Sequence, residues 1–444
     1  MAKFYNREQE RAKLQKATAI SEKRGIFTLV IGRRRVGKTT LLLNSFDPKT
    51  TLYLFVSKKS EGLLVEEFMS QLKELVSVPL IGRIQTFEEF LKILFQVTRE
   101  QPLTVIFDEF QDFSKVNSTI FSTLQKLWDL NKNDSHIHLI ACGSIYSMMN
   151  SIFEGAKEAL FGRADFKIHV TPFQPSVLKE VLNDNNQYSA RNLFDFYVFT
   201  GGIAKYIDLF SIRNAFSKDE LIEEFFSSGS IFIDEGKNCL FEEFGPNYST
   251  YFSLLSLIAS GKTARREMES IIEKNVSQYL DRLENDFSII QSIKPFGAKP
   301  NSKTQKYEII DPFLTFWFRF VYTYQSYVES ESFSQLKTIV YRDYDSFAGV
   351  QLEQLYREIF KETGRFISIG RYWERGNKNE IDIVALDEQN KELWLCEVKT
   401  NADKLSLDEL IHKSKKLTSQ FSDYSPVYKL LSVDSIDEFM EGIA

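Results

Sequence analysis

The stretch "GRRRVGKTT", Gly32 to Thr40, carries the spacing G-x-x-x-x-G-K-[ST], a pattern whose backbone N–H groups cradle phosphate oxygens. It follows the apolar run "FTLVI" and precedes "LLLNSF", so the loop falls between a strand and the start of a helix, where N–H groups face an anion. Gly32, Arg33, Arg34, Arg35, Val36, Gly37 and Thr40 would line the cradle. Gly37 permits close backbone approach, Lys38 reaches the β and γ phosphates, and Thr39 offers its hydroxyl to Mg2+. A chance match within a tight turn is the bland alternative, and the flanks on both sides argue against it.

A second candidate set is "LTVIFDEFQDF", a strand ending in Asp108 and Glu109. Beside a phosphate loop, Asp108 can hold magnesium and Glu109 can activate the attacking water, which is an arrangement for hydrolysing a nucleoside triphosphate. Ser144, after "HIHLIACG", would set a hydroxyl between the acidic strand and the γ phosphate. An acidic pair ending a strand is otherwise commonly a turn or helix cap.

The third set lies in "EIDIVALDEQNKELWLCEVK". A tight turn at Gln389 and Asn390 pairs Leu386 with Leu393 and Val384 with Leu395, so Asp382 faces Glu397. Like charges so opposed destabilise a sheet. A divalent cation would offset the repulsion, with Lys399 adding a positive group on the same face by period two. Glu353, in the helical "FAGVQLEQL", could complete the metal site. The competing explanation is a structural ion pair of Lys399 with Asp382 or Glu397 and no metal, and a one-residue slip would put the two acids on opposite faces.

These residues need elements to hold them. Apolar runs at 27, 51, 103, 136 and 166 alternate with amphipathic stretches, which implies a parallel sheet with helices on both faces over residues 1–174. Pro172 and Pro175 break that pattern, and residues 175–245 read as a helical lid. Residues 246–330 suit a winged helix, whose wing "GAKPNSKTQK" would expose Lys299, Lys303 and Lys306 to phosphate; a solvated hairpin used only for packing is the alternative. Residues 340–444 hold the acidic hairpin between helices.

Composition sets limits on function. Hydrophobic residues at 43% and charged ones at 26% exclude a disordered chain. The formal net charge of -6 excludes coating nucleic acid by overall positive charge, so any DNA contact must be local. Three Cys and four His, widely spaced, give neither a disulfide framework nor a zinc site; His136 and His138 read as structural imidazoles on an apolar strand. The 39 Phe read as core filling. The charged start has no signal-peptide core and no run of about 18 residues is free of charge, so a soluble cytoplasmic protein with no membrane partner is expected. The stretch from Asp311 to Val328, with Arg319 inside it, reads as a buried helix.

Taken together, "FYNREQERAKL", "GRRRVGKTT", "VIFDEFQ", "CGS", "LFGRADF" and "TGGIAKY" resemble the archaeal-type ATPases, AAA+-like relatives of the signal-transduction ATPases. The resemblance implies ATP as the nucleotide, Asn6 and Arg7 near its base, Ser144 as first sensor and Arg163 as an arginine finger. Ala204 stands where the family usually has Pro, which weakens a nucleotide-sensing role for that loop. The resemblance continues through "GRYW" to about residue 400, where Asp followed by Glu-x-Lys is similar to restriction-endonuclease-like enzymes. There Asp382 and Glu397 would bind Mg2+ or Mn2+ and Lys399 would orient the water or stabilise the phosphate.

The expected fold is therefore α/β: a P-loop NTPase sheet, a helical lid, a winged helix and a PD-(D/E)xK nuclease-like domain acting on double-stranded DNA, in a homo-oligomer or with a partner protein. The alternative is a nucleotide-controlled switch whose C-terminal domain binds without cutting.

Overall fold

The structure, a computed structural model, describes residues 3–76, 83–144, 146–244, 248–299 and 304–441. The chain divides into two compact units, Phe4–Thr171 and the residues from Pro172 onward together with the N-terminal end.

The first unit is built on five strands: β1 (Ile26–Ile31), β2 (Thr51–Phe55), β3 (Leu103–Asp108), β4 (Ile137–Gly143) and β5 (Phe166–His169), ordered β2-β3-β4-β1-β5 and paired in parallel. Every residue of β1, β3 and β4 is buried, which is why these segments read as unbroken apolar runs: helices cover both faces of such a sheet. One of them, Phe87–Glu100, begins in a reciprocal cap in which Thr86 Oγ1 accepts from Glu89 N and Glu89 Oε2 accepts from Thr86 N. Its face of Phe87, Phe90, Leu91, Leu94 and Phe95 is buried. Those rings join Phe27, Phe68, Phe107, Phe110 and Phe113 in one core, the core-filling role expected of the phenylalanines. His138 bridges Thr18 Oγ1 (2.9 Å) and Thr28 Oγ1 (2.8 Å), and burial drives its pKa down to about 3. It is a neutral structural imidazole. Because β3, β4 and β1 are neighbours, the loops leaving their carboxyl ends converge at one edge.

The second unit starts with helices Pro175–Asp184, Ala190–Thr200, Ala204–Ile212, Lys218–Phe225 and Phe232–Phe244. Helices Ser249–Ala259, Arg265–Ile272 and Ser277–Asp281 follow, then an antiparallel hairpin of β6 (Ile290–Ile293) and β7 (Lys306–Ile309). Lys299 is exposed and Lys303 lies outside the described residues. Lys306 corrects the expectation of an exposed wing residue: it pairs with Glu380 at 3.1 Å and its ammonium sits 4.7 Å from the centre of the Trp373 ring. The aromatic stretch after Asp311 is buried as expected, and among the described residues no helix is long and apolar enough to cross a membrane.

The 30-residue helix Phe333–Glu362 leads into a mixed sheet of β8 (Ser368–Glu374), β9 (Lys378–Asp387), β10 (Glu392–Val398) and β11 (Ser425–Leu431), ordered β11-β10-β9-β8. The first three strands meander antiparallel; helix Leu407–Gln420 then returns the chain so that β11 runs parallel to β10.

Candidate functional site

The loop Gly32–Gly37 leaves the end of β1 and runs into helix Lys38–Leu43. Two glycines shape it. A Cβ on Gly32 would lie 2.3 Å from the Val170 carbonyl oxygen, and Gly37 has φ 95°, which a side chain would strain. Lys38 is buried and its ammonium donates to the carbonyls of Gly32 (2.8 Å) and Arg33 (2.9 Å). Burial pulls its pKa down, against the pull of nearby Glu109 and Asp108. A buried ammonium held by loop carbonyls suits exchange of those acceptors for phosphate oxygens.

Asp108 ends β3 fully engaged. Its Oδ2 accepts from Thr39 Oγ1 and from Tyr53 OH, each at 2.7 Å, and its Oδ1 accepts from Glu109 N at 2.9 Å. Glu109 is held at φ 54°, in the left-handed region. Its Oε2 accepts from Ser144 Oγ (2.7 Å) and from Gln111 Nε2 (2.5 Å). The fold thus gathers Lys38, Thr39, Asp108, Glu109 and Ser144 at one edge of the sheet. The donor set fits a Mg2+-nucleotide: a hydroxyl and a carboxylate already 2.7 Å apart for the metal, and an ammonium within a glycine-shaped loop for phosphate.

Around this centre, Arg33, Arg34 and Arg35 are half-buried on the loop, Val36 is buried and Thr40 is exposed. Asn6 Oδ1 accepts from Arg7 N. The Arg7 guanidinium donates to the carbonyls of Val36 (3.1 Å) and Thr171 (2.7 Å) and pairs with Glu10 at 3.1 Å, so it braces the phosphate loop from behind. Arg163 is the residue expected as an arginine finger. Its guanidinium is tied to Asp129 at 2.9 Å and to the Phe161 carbonyl, and no hydrogen bond or ion pair among the described residues joins it to the loop.

Tyr53 and Gln111 are residues that motif spacing misses. Tyr53 reaches Asp108 because β2 pairs with β3, and strand order is not written in a motif. Gln111 did leave a signal, as an amide two residues beyond Glu109 between the buried Phe110 and Phe113.

In the second unit the hairpin register is the one expected, Leu393 opposite Leu386 and Leu395 opposite Val384. Asp382 Oδ2 accepts from Val398 N at 2.8 Å and lies 3.2 Å from Lys399 Nζ, which is also 3.0 Å from Glu397 Oε1. Lys413, from helix Leu407–Gln420, reaches the same Glu397 oxygen at 3.1 Å. Burial and the neighbouring Glu397 push the Asp382 pKa up; Lys399 is raised as well, burial being outweighed by the two acids.

Glu353 corrects the expected three-carboxylate metal site. It is drawn to Arg371 at 3.0 Å, and among the described residues no three His, Cys, Asp or Glu side chains converge as a metal-binding group. Cations already balance these buried acids. One feature still fits a metal: Glu397 Oε2 is buried without a hydrogen-bond partner among the described residues. Lys413 and Arg371 were hidden from spacing arguments because they arrive from a separate helix and a separate strand.

Residues 4–210 match the family described as an ATPase domain predominantly from Archaea, and residues 317–411 match a family of archaeal and bacterial proteins of unknown function. An uncharacterized protein of Methanocaldococcus jannaschii is 25% identical over 91% of this chain and 90% of its own length. Among solved structures, a Walker-type ATPase of Pyrococcus abyssi superposes with a TM-score of 0.54 at 19% identity, covering 71% of this chain and 96% of that one. The ORC2 protein of Aeropyrum pernix has a TM-score of 0.46 at 15% identity, covering 74% and 96%. On the first of these likenesses, the five-stranded parallel sheet shares the fold of the Pyrococcus abyssi Walker-type ATPase, and a separate mixed sheet follows it.

Proposed function

We propose that the chain binds and hydrolyses ATP at the Gly32–Thr40 loop and uses the nucleotide state to control a DNA-directed, nuclease-like C-terminal domain. The observation that carries the first part is the pairing of Thr39 and Asp108 at 2.7 Å beside Glu109 and the buried Lys38. Water attacks the γ phosphorus while Glu109 takes its proton, and the bond to the β-phosphate oxygen breaks to release ADP and inorganic phosphate. Lys38 and the loop N–H groups stabilise charge on the phosphate oxygens. Thr39 and Asp108 would hold a Mg2+ ion, which when bound would supply further charge neutralisation. The match of residues 4–210 to an ATPase family supports this reading.

Residues 175–245 would serve as lid and 246–330 as a winged helix; three helices followed by the β6-β7 hairpin and exposed Lys299 support contact with duplex DNA. For the C-terminal domain, Asp382 and Glu397 on adjacent strands, Lys399 two residues on and the unpartnered Glu397 Oε2 support metal-dependent cleavage. The lysines bound to both acids favour a second reading, a switch that grips duplex DNA or a partner protein without cutting.

One experiment addresses both parts: ATP hydrolysis and cleavage of supercoiled and linear duplex DNA in Mg2+ or Mn2+, for wild type, Lys38→Ala and Asp382→Asn. Hydrolysis should fall at least about 100-fold in K38A, the scale set by removing one main source of transition-state charge stabilisation. Cleavage lost in D382N supports the nuclease reading. Binding without cleavage in every nucleotide state moves the conclusion to the switch, and wild-type turnover in K38A rejects the ATP site.

A further inference from the structure

Gln111 sits two residues beyond Glu109, in the single turn Phe110–Asp112 that follows β3, and is only 1% exposed. Its two amide ends have different surroundings. Nε2 donates to Glu109 Oε2, the same oxygen that receives Ser144 Oγ. Oε1 is buried without a hydrogen-bond partner among the described residues. It occupies space that Gly143, at the end of β4, leaves open: a Cβ there would lie 2.5 Å from Gln111 Oε1 and 2.4 Å from Met149 Sδ.

A half-satisfied buried amide is a destabilising choice, since an apolar side chain of similar length would fill the space without stranding an acceptor. The amide is useful here only through its donor, and that donor serves a single atom. Two donors from two different strand ends, β3 and β4, fix Oε2 from two directions. The carboxylate can then neither swing nor exchange its oxygens freely, although its backbone sits at the sparsely populated φ of 54°.

We propose that Gln111 is a positioning residue for ATP hydrolysis: with Ser144 it clamps Glu109 Oε2, so that Oε1 is the oxygen presented to the attacking water. The proton passes from water to Glu109 Oε1 as the oxygen bonds to the γ phosphorus and the bond to the β-phosphate oxygen breaks. Gln111 does not touch the nucleotide in this scheme. Its removal should lower kcat and leave KM alone. The inference rests on the ATPase reading above.

The test compares steady-state ATP hydrolysis and binding of a fluorescent ATP analogue in wild type, Gln111→Met, Glu109→Gln and the double variant, with K38A as background. A misplaced general base costs up to about 100-fold, so Q111M should lose roughly 10- to 100-fold in kcat with KM within about twofold of wild type. In the E109Q background the same change should add nothing, because a residue acting through Glu109 has no carboxylate left to position. Wild-type kcat in Q111M, a rise in KM with kcat unchanged, or the same fold-loss on top of E109Q each overturns the inference while leaving the ATPase reading standing. Absence of any K38A-sensitive hydrolysis by wild type overturns both. If Q111M does not bind the analogue or melts early, Gln111→Asn, which keeps the amide but withdraws it by one methylene, is read by the same criteria.

Discussion

In the parallel sheet of Phe4–Thr171, Asp108 and Glu109 are held by neutral side-chain donors, Thr39, Tyr53, Ser144 and Gln111. In the mixed sheet of the second unit, Asp382, Glu397 and Glu353 lie against Lys399, Lys413 and Arg371. Both arrangements orient buried carboxylates, but they leave different charge behind. A neutral donor fixes the geometry and keeps the negative charge available to a divalent cation or a proton. A cation cancels that charge, and its attraction mainly offsets the desolvation of both partners. The first cluster therefore keeps its charge for a ligand, whereas much of the charge of the second is already offset by its lysine and arginine contacts.

The largest effect that would break this contrast comes from Lys399→Met. It leaves Asp382 and Glu397 opposed and buried, with Lys413 and the Val398 N–H as remaining partners. Breaking a buried pair costs about 3–5 kcal/mol; Lys399 keeps 37% of its side-chain exposure, so solvent screening reduces this to roughly 2 kcal/mol. Amide hydrogen exchange in β9 and β10 should accelerate up to about 30-fold. Adding Mg2+ sharpens the result. Recovery of protection would show that the two acids accept a metal once the lysine is gone, and no recovery would mark them as a structural ion pair.

A smaller contrast lies in pH. Burial lowers the folded pKa of His138 to about 3, below its ordinary 6.5, so the unfolded chain binds the extra proton. The contribution of His138 is complete above pH 6.5 and is lost as pH falls toward 3. Glu353 behaves oppositely: burial, with Asp382 adding and Arg371 opposing, lifts it from 4.5 to about 7, so its contribution is present below pH 4.5 and is lost as pH rises through 7. Each pH unit inside the window is worth about 1.4 kcal/mol at most. From pH 6.5 to 5, wild type should lose about 1–2 kcal/mol relative to His138→Gln in the first sheet and gain a similar amount relative to Glu353→Gln in the second. Exchange of β4 and β9 amides, corrected for its intrinsic pH dependence, reads each difference; slopes of the same sign would break the contrast.

What could be read from the chain alone divides along the same physical line. The phosphate loop lies within nine residues and its flanks are a strand and a helix, so local pattern was enough to locate it. The hairpin register of β9 and β10 was legible because a short turn and period-two alternation leave few alternatives. Partners brought by strand order were not legible. Tyr53 meets Asp108 across β2 and β3, Lys413 comes from the helix between β10 and β11, and Arg371 stands on β8. Lys306 looked solvated because its partners, Trp373 and Glu380, are far along the chain. Side chains that satisfy charge at a distance are set by packing, and packing leaves no fixed spacing in sequence.

The smallest effect tests how much a single neutral donor contributes. Tyr53 OH shares Asp108 Oδ2 with Thr39, and burial together with that carboxylate raises the phenol pKa, so it remains a donor throughout the working range. Tyr53→Phe removes one hydrogen bond to a charged acceptor and leaves Thr39 in place, a loss of about 1 kcal/mol. On the proposed function, hydrolysis at limiting Mg2+ should fall about fivefold. Binding of nucleotide in the absence of metal should stay unchanged, because Tyr53 touches the acid and not the phosphate loop. A loss of metal-free binding would place Tyr53 on the nucleotide itself. An unchanged Mg2+ dependence would mean that Thr39 alone sets the Asp108 carboxylate, and neutral clamping would then be carried by Glu109 and its two donors.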